Sequence, residues 1–194
     1  MSKGFTLIEI LVAVSIIAII AVIVIPNLRR YNEEQILRNA ASQLAQHFRQ
    51  AQSSSHSRIK CPDGTPSTSW GIKLTGTSLY EYIYDCQDPT TNTSVTLPTQ
   101  TSDKFTLPPS VEMSDFMLCS PDDTVDLPVS IKFNNIKETV SFAESGANPS
   151  ENNKKLQLQV KSTKSNVRLK AIITVNSGGS VDLKFTEGEV TSCG

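Results

Sequence analysis

Apolar positions divide this chain into three regimes. From Phe5 to Leu28 nearly every residue is apolar, and Glu9 is the single charge. From Tyr31 to Gln52 the apolar residues fall into a stripe: Ile36, Ala40, Leu44 and Phe48 recur every four positions, with Leu37, Ala41 and Ala45 beside them. Arg38, Gln43, Gln46 and Arg49 take other faces, as expected of an amphipathic helix with a period near 3.6. Beyond Cys61 the pattern shortens to strand-length runs between turn residues. Leu156, Leu158 and Val160 alternate with Gln157 and Gln159, the signature of a half-buried strand.

One long helix is therefore predicted from Phe5 to about Gln52, ended by Ser53-Ser54-Ser55. Pro26 lies within it. Proline removes a backbone donor and strains the preceding turn, so a kink or local melting is expected there. The helix is followed by candidate strands at Trp70–Leu74, Leu79–Tyr84, Glu112–Leu118, Val129–Phe133, Thr139–Ala143, Leu156–Val160, Arg168–Val175 and Val181–Phe185. Ser177-Gly178-Gly179-Ser180 reads as a hairpin turn between the last two. Asp88–Thr106, rich in Thr, Ser and Pro, and the polar Glu144–Asn153 read as exposed loops. The fold class is α+β, a long N-terminal helix packed on an antiparallel sheet domain.

The first segment has the length of a membrane span. Its 24 residues would extend about 36 Å as a helix, against a hydrocarbon core of roughly 30 Å. A cleaved secretory signal would have a shorter apolar core, and the run here continues past Ala13-Val14-Ser15. A plain anchor has no use for Glu9, because a carboxylate in a membrane helix is costly without a partner.

Composition adds a compartment. The chain has 194 residues, 38% of them hydrophobic, a net charge of −1 and four cysteines. Removing the first four residues takes away Lys3 and makes the charge −2; neither value calls for nucleic acid or an anionic membrane. Cys61, Cys86, Cys119 and Cys193 form no Cys-x-x-Cys pair, and there are two histidines, which argues against zinc or iron–sulfur centres. An even set of dispersed cysteines fits disulfides in an oxidising compartment. Three pairings are open; closing the shorter loops favours Cys61–Cys86 with Cys119–Cys193.

Catalytic motifs are missing: there is no Gly-x-Ser-x-Gly, no phosphate-binding glycine loop and no His-Glu-x-x-His. No enzymatic activity, cofactor or metal is expected. Asp122-Asp123 and Asp63-Gly64 lack the ligand count calcium needs and read as exposed turns. Asn92-Thr93-Ser94 matches a glycosylation sequon, a triplet common by chance. His47 reads as a boundary residue on the helical stripe, and His56 as part of a serine-rich linker. Lys154, Lys155, Lys161, Lys164, Arg168 and Lys170 lie between Asn152 and Val181 without an intervening acid. On a two-stranded ribbon they could form a basic patch suited to phosphate, although a solvated hairpin face explains them more simply.

Gly4-Phe5-Thr6-Leu7-Ile8-Glu9, followed at once by the apolar run and then by Pro26, resembles the processing site of type IV pilins and type II secretion pseudopilins. The resemblance implies cleavage between Gly4 and Phe5 by a prepilin peptidase acting on the cytoplasmic side, with methylation of the new amine on Phe5. Glycine suits such a cut because it lets the backbone approach a catalytic site closely. Glu9 would pair with the N-terminal amine of a neighbouring subunit during assembly, and Pro26 would belong to the assembly helix. Positive charges do not select an orientation, since Lys3 precedes the segment while Arg29 and Arg30 follow it. The resemblance implies a single pass through the inner membrane, the N-terminus cytoplasmic and the soluble domain periplasmic or extracellular.

Its implied division is a cleaved leader over 1–4, a transmembrane half of the helix over 5–28, an amphipathic half and linker over 29–55, and a soluble β-rich domain over 56–194. Its implied partners are other pilin or pseudopilin subunits, the peptidase, an inner-membrane assembly platform, and membrane lipid before assembly. Pro26-Asn27-Leu28-Arg29-Arg30-Tyr31, the alanine-rich helix through Ala51, Trp70-Gly71 and the hairpin between Val175 and Val181 make the layout most similar to the GspH/FimT minor pseudopilins. FimT-like members are associated with DNA capture through a Gly-Arg-x-Arg context near the last hairpin. Here Gly178-Gly179-Ser180-Val181 holds no arginine. DNA is therefore the alternative partner, with Lys161, Lys164, Arg168 and Lys170 as its candidate contacts.

Overall fold

The amphipathic stripe becomes the centre of the molecule. In the computed structural model, which describes residues 6–61, 64–87, 94–98, 104–119, 122–124, 126–134, 139–144 and 155–188, helix α1 runs unbroken over Leu7–His56. Thr6 caps its start, accepting from the Glu9 amide at 3.4 Å. Leu37, Ala40, Ala41, Leu44, Ala45, Phe48 and Ala51 are each at most 2% exposed. The alanines let sheet residues come close to the helix axis, while Leu37, Leu44 and Phe48 supply the bulk. Ile36, expected in the stripe, lies at its margin and is 37% exposed. The local melting expected at Pro26 does not occur. A proline costs the helix one hydrogen bond, and the turns on either side keep theirs. The helix also outruns its expected end: Ser55 turns inward and donates to the Phe133 carbonyl at 2.6 Å, and Ser57 caps the last turn. His56 is thus the last helical residue rather than part of a linker.

Eleven strands are described: β1 (Ser67–Leu74), β2 (Leu79–Gln87), β3 (Ser94–Pro98), β4 (Lys104–Thr106), β5 (Val111–Cys119), β6 (Asp122–Thr124), β7 (Val129–Asn134), β8 (Val140–Glu144), β9 (Lys155–Ser162), β10 (Leu169–Val175) and β11 (Val181–Glu187). They form two antiparallel sheets. One has the order β3-β2-β1-β7-β8, with β4 also on β2; the other has the order β11-β10-β9-β5-β6. All eight expected strands are present, six of them one to three residues longer than the pattern indicated. Inward positions alternate as strand geometry requires: Ile72, Leu74, Ile131 and Phe133 in the first sheet, and Leu156, Leu158, Val160, Ala171, Ile173 and Val175 in the second, join the helical stripe in one core.

Two expectations about loops are corrected. Asp88–Thr106 contains β3 and β4, which pair with the same edge of β2. Ile83 faces Pro98 and Glu81 faces Lys104. β3 and β4 thus pair with successive stretches of β2, Ile83–Gln87 and Leu79–Glu81, on either side of Tyr82. Asp122-Asp123 lies in β6, paired with β5, not in a turn. Edge pairing is satisfied through the backbone, so Thr, Ser and Asp suffice where one face need not be buried. Glu144 ends β8; the remainder of the predicted polar loop lies outside the described residues, as do Asn92, Thr93 and Asp63.

The helix touches both sheets. Arg49 donates to the Val181 carbonyl at 3.1 Å, and the Arg38 guanidinium sits 4.8 Å from the centre of the Phe185 ring. These contacts ascend the helix while descending β11, so α1 runs antiparallel to that edge strand. A disulfide joins Cys61, just after the helix, to Cys86 at the end of β2, with a Cα–Cα distance of 6.2 Å. Closing a loop of this size removes about 3 kcal/mol of unfolded-state entropy. Trp70 and Tyr84 pack beside it with their rings tilted, the ring centres 5.0 Å apart.

Candidate interfaces of the helix and the basic hairpin

The first half of α1 has the chemistry of a buried helix and none of the burial. Leu7 is 83% exposed and Val22 75%, and Ile8, Leu11, Ile17, Ile19 and Leu28 are all above half. Among the described residues this is the one helix long and apolar enough to cross a membrane. So much contiguous apolar surface requires lipid or protein around it. Glu9 projects from the first turn of this segment and is exposed; its amide is held by Thr6. Gly4 and Phe5 lie outside the described residues. Pro26 lies within the continuous helix.

The basic residues are only partly brought together. Lys161 on β9 stands directly opposite Lys170 on β10. Lys164 lies in the connecting turn, where its amide donates to Ser162 Oγ at 3.1 Å and its carbonyl accepts from Val167. Arg168 is exposed just before β10. The acid-free stretch of sequence does not make an acid-free surface. Neighbouring β5 brings Glu112 to within 3.4 Å of Lys161, and β11 sets Glu187 opposite Leu169. An open hollow of about 400 Å³ is lined by Arg168, Lys170, Glu187 and Gly188. Lysines facing each other across a ladder repel, and the flanking carboxylates offset that repulsion. The result is a mixed-charge end of a sheet rather than a cationic ribbon.

Of the four cysteines, Cys61 and Cys86 are joined, and Cys119 is disulfide-bonded with its partner outside the described residues, where Cys193 lies. No cluster of potential metal ligands occurs among the described residues.

Two polar constellations were not legible in the sequence. His47 meets the Tyr80 hydroxyl at 3.0 Å through Nδ1, and its ring lies 4.3 Å from that of Phe105. Tyr82 donates to Gln50 Oε1 at 3.1 Å. The one available signal was the i, i+2 spacing of Tyr80 and Tyr82, which places both on the helix-facing side of β2. On the opposite face, Lys132 donates to both oxygens of Asp85 at 2.9 Å, and Ser69 donates to Asp85 Oδ2 at 2.7 Å. These groups come from three strands far apart in sequence.

Burial pushes the Tyr80 hydroxyl up to about pH 12. A raised phenol stabilises the fold fully below pH 10, and that contribution is lost as pH rises from 10 towards 12. The urea midpoint of the detergent-solubilised chain should therefore fall between pH 9.5 and about 11. Tyr80→Phe should flatten the fall; an equally steep fall in that variant would remove Tyr80 as its cause.

Residues 1–25 match the family model described as the prokaryotic N-terminal methylation motif, the segment where the resemblance was read. No curated protein matches the chain. Two solved structures of the minor pseudopilin EpsH from the type II secretion system of Vibrio cholerae are similar to it. One has 9% identity and a TM-score of 0.42 over 76% of this chain and 94% of that one. The other has 12% identity and a TM-score of 0.45 over 80% and 97%.

Proposed function

We propose that this chain is a structural subunit, minor rather than major, of a pilus or secretion pseudopilus. It enters the membrane through α1, is cut between Gly4 and Phe5, and is methylated on Phe5. The observation that carries the reading is the coupling of the methylation motif over residues 1–25 to a helix whose apolar half is left uncovered. A soluble protein would cover that surface, and a plain anchor would not need the motif or Glu9. The helix serves twice: lipid covers it before assembly, and helices of neighbouring subunits cover it afterwards. In lipid Glu9 is costly, so a neighbour's terminal amine, once freed at Phe5, draws the subunit into register. The soluble domain lies on the far side of the inner membrane, where disulfides persist. Its role is packing, not catalysis, and the mixed-charge hairpin is a solvated face.

The test is processing. In cells carrying the cognate peptidase, Gly4→Arg should leave the four leader residues in place, and the intact mass should show no N-methylation. A mature, methylated mass in that variant would overturn the cleavage site. Normal processing of the parent chain, with failure to enter filaments when Glu9 is replaced by valine, would support the pairing role.

A further inference from the structure

The short strand β4 sits at an edge and is held by few things. It pairs over three residues with Leu79–Glu81. Lys104 lies 3.8 Å from Glu81 at the surface, a pair of little energetic weight. Within β4 itself the remaining described anchor is Phe105, whose ring meets His47 at 4.3 Å, Tyr80 at 5.3 Å and Tyr82 at 5.4 Å. His47 is thus the helix's contact with β4, and it is the one member of the ring cluster that titrates near neutral pH.

We propose that His47 makes the joint between α1 and β4 acid-sensitive: protonation of its imidazole loosens Phe105 and frees the end of β4, while the two-sheet core holds. When Nδ1 accepts, Tyr80 donates to it. A proton on Nδ1 turns that nitrogen into a donor, so the Tyr80 hydroxyl must give up its donated bond and accept instead, and a full charge enters a half-buried cluster of rings. Among the described residues no carboxylate faces the ring to offset the new charge. On α1 the adjacent polar residues Gln43, Gln46 and Gln50 are neutral, and Arg49 is committed to Val181. On β2 and β4 the charged residues are Glu81, Asp85 and Lys104. They alternate with Tyr80, Tyr82, Tyr84 and Phe105, so they point to the opposite face, where Asp85 is held by Lys132 and Ser69. Tyr80 itself stays neutral throughout the range. Burial holds the His47 imidazole below its ordinary value of 6.5. The joint is therefore intact above pH 6.5 and weakens as pH falls below it, the sign expected of a group kept neutral in the fold.

Hydrogen exchange on the full chain in detergent micelles reads this directly. The Leu107 amide, which donates to the Ser78 carbonyl at 2.8 Å, reports the end of β4. The Ile173 amide, in the centre of its sheet, reports the core. Protection factors, corrected for intrinsic exchange, should fall severalfold at Leu107 between pH 7.5 and 5.5. Ile173 should not change. His47→Phe keeps a ring without a titrating nitrogen and should hold Leu107 protection constant; His47→Gln gives the same reading if the larger ring disturbs packing. Constant protection in the parent chain, an equal fall at Ile173, or the same fall in both variants would each overturn the proposal.

Discussion

Gly71→Ala is expected to lower the unfolding free energy by about 3 kcal/mol, the upper range for overpacking a core. Gly71 lies where β1 and β7 run too close for a side chain. A Cβ built there would fall on the carbonyl oxygen of Ile131 and come within 2.9 Å of the Lys132 Cα. Both obstacles are backbone, so no rotamer change relieves them. The strand must instead move. Ile72 and Leu74 follow on the same strand, both fully buried, and moving them disturbs the core beneath. The register places Gly71 opposite Ile83 on one side and Lys132 on the other, so the damage spreads into both neighbours. Trp70 is the only tryptophan and lies next door, so its fluorescence in a urea titration of the detergent-solubilised chain reports the loss. An unchanged midpoint would mean the strands separate freely and that the close approach is not required.

Phe48→Ala should cost about 3–5 kcal/mol. Phe48 is fully buried among the residues largest in volume that solvent does not reach. It belongs to the single cluster shared by the helix and both sheets. Truncation removes the apolar transfer energy and leaves a hole that neither sheet can fill without breaking its own ladder. That is a large share of the 5–15 kcal/mol typical of a domain. Phe48→Leu, which retains most of the volume, should recover most of the loss. If Phe48→Ala and Phe48→Leu had equal midpoints, the packing account would fail.

The sequence was read well where periodicity records burial. Leu37, Leu44 and Phe48 reach the core because a helix repeats near 3.6, and β9 was identified by the alternation of its leucines with glutamines. Reading faltered where pairing needs no apolar pattern. β3 and β4 lie in a stretch rich in Thr, Ser and Pro because edge strands can be held through backbone groups alone. Pro26 does not melt the helix, because one missing hydrogen bond weighs little in a helix of fifty residues. The basic stretch shows another limit of local patterning. Its lysines and arginine are contiguous in sequence, but β5 contributes Glu112 from about fifty residues away, which no local scan can see. His47 lies at the margin of the helical stripe, and the sequence does not show its partners, Tyr80 and Phe105, because they lie on strands whose facing side is set only when the sheet forms. The need for Gly71 comes from the nearness of β7, which no local pattern shows.

The helix that touches β1 and β7 on one side and β9, β10 and β11 on the other has a mechanical consequence. A pull on its N-terminal end runs along the axis of a rod gripped on two sides. Its contacts therefore load together in shear instead of parting one after another like a zipper. The bond from Arg49 to Val181 and the cysteine bridge just past the helix end tie the far end of the rod to both walls. Tension applied at the apolar end thus reaches the whole soluble domain at once, and the domain travels as a rigid load.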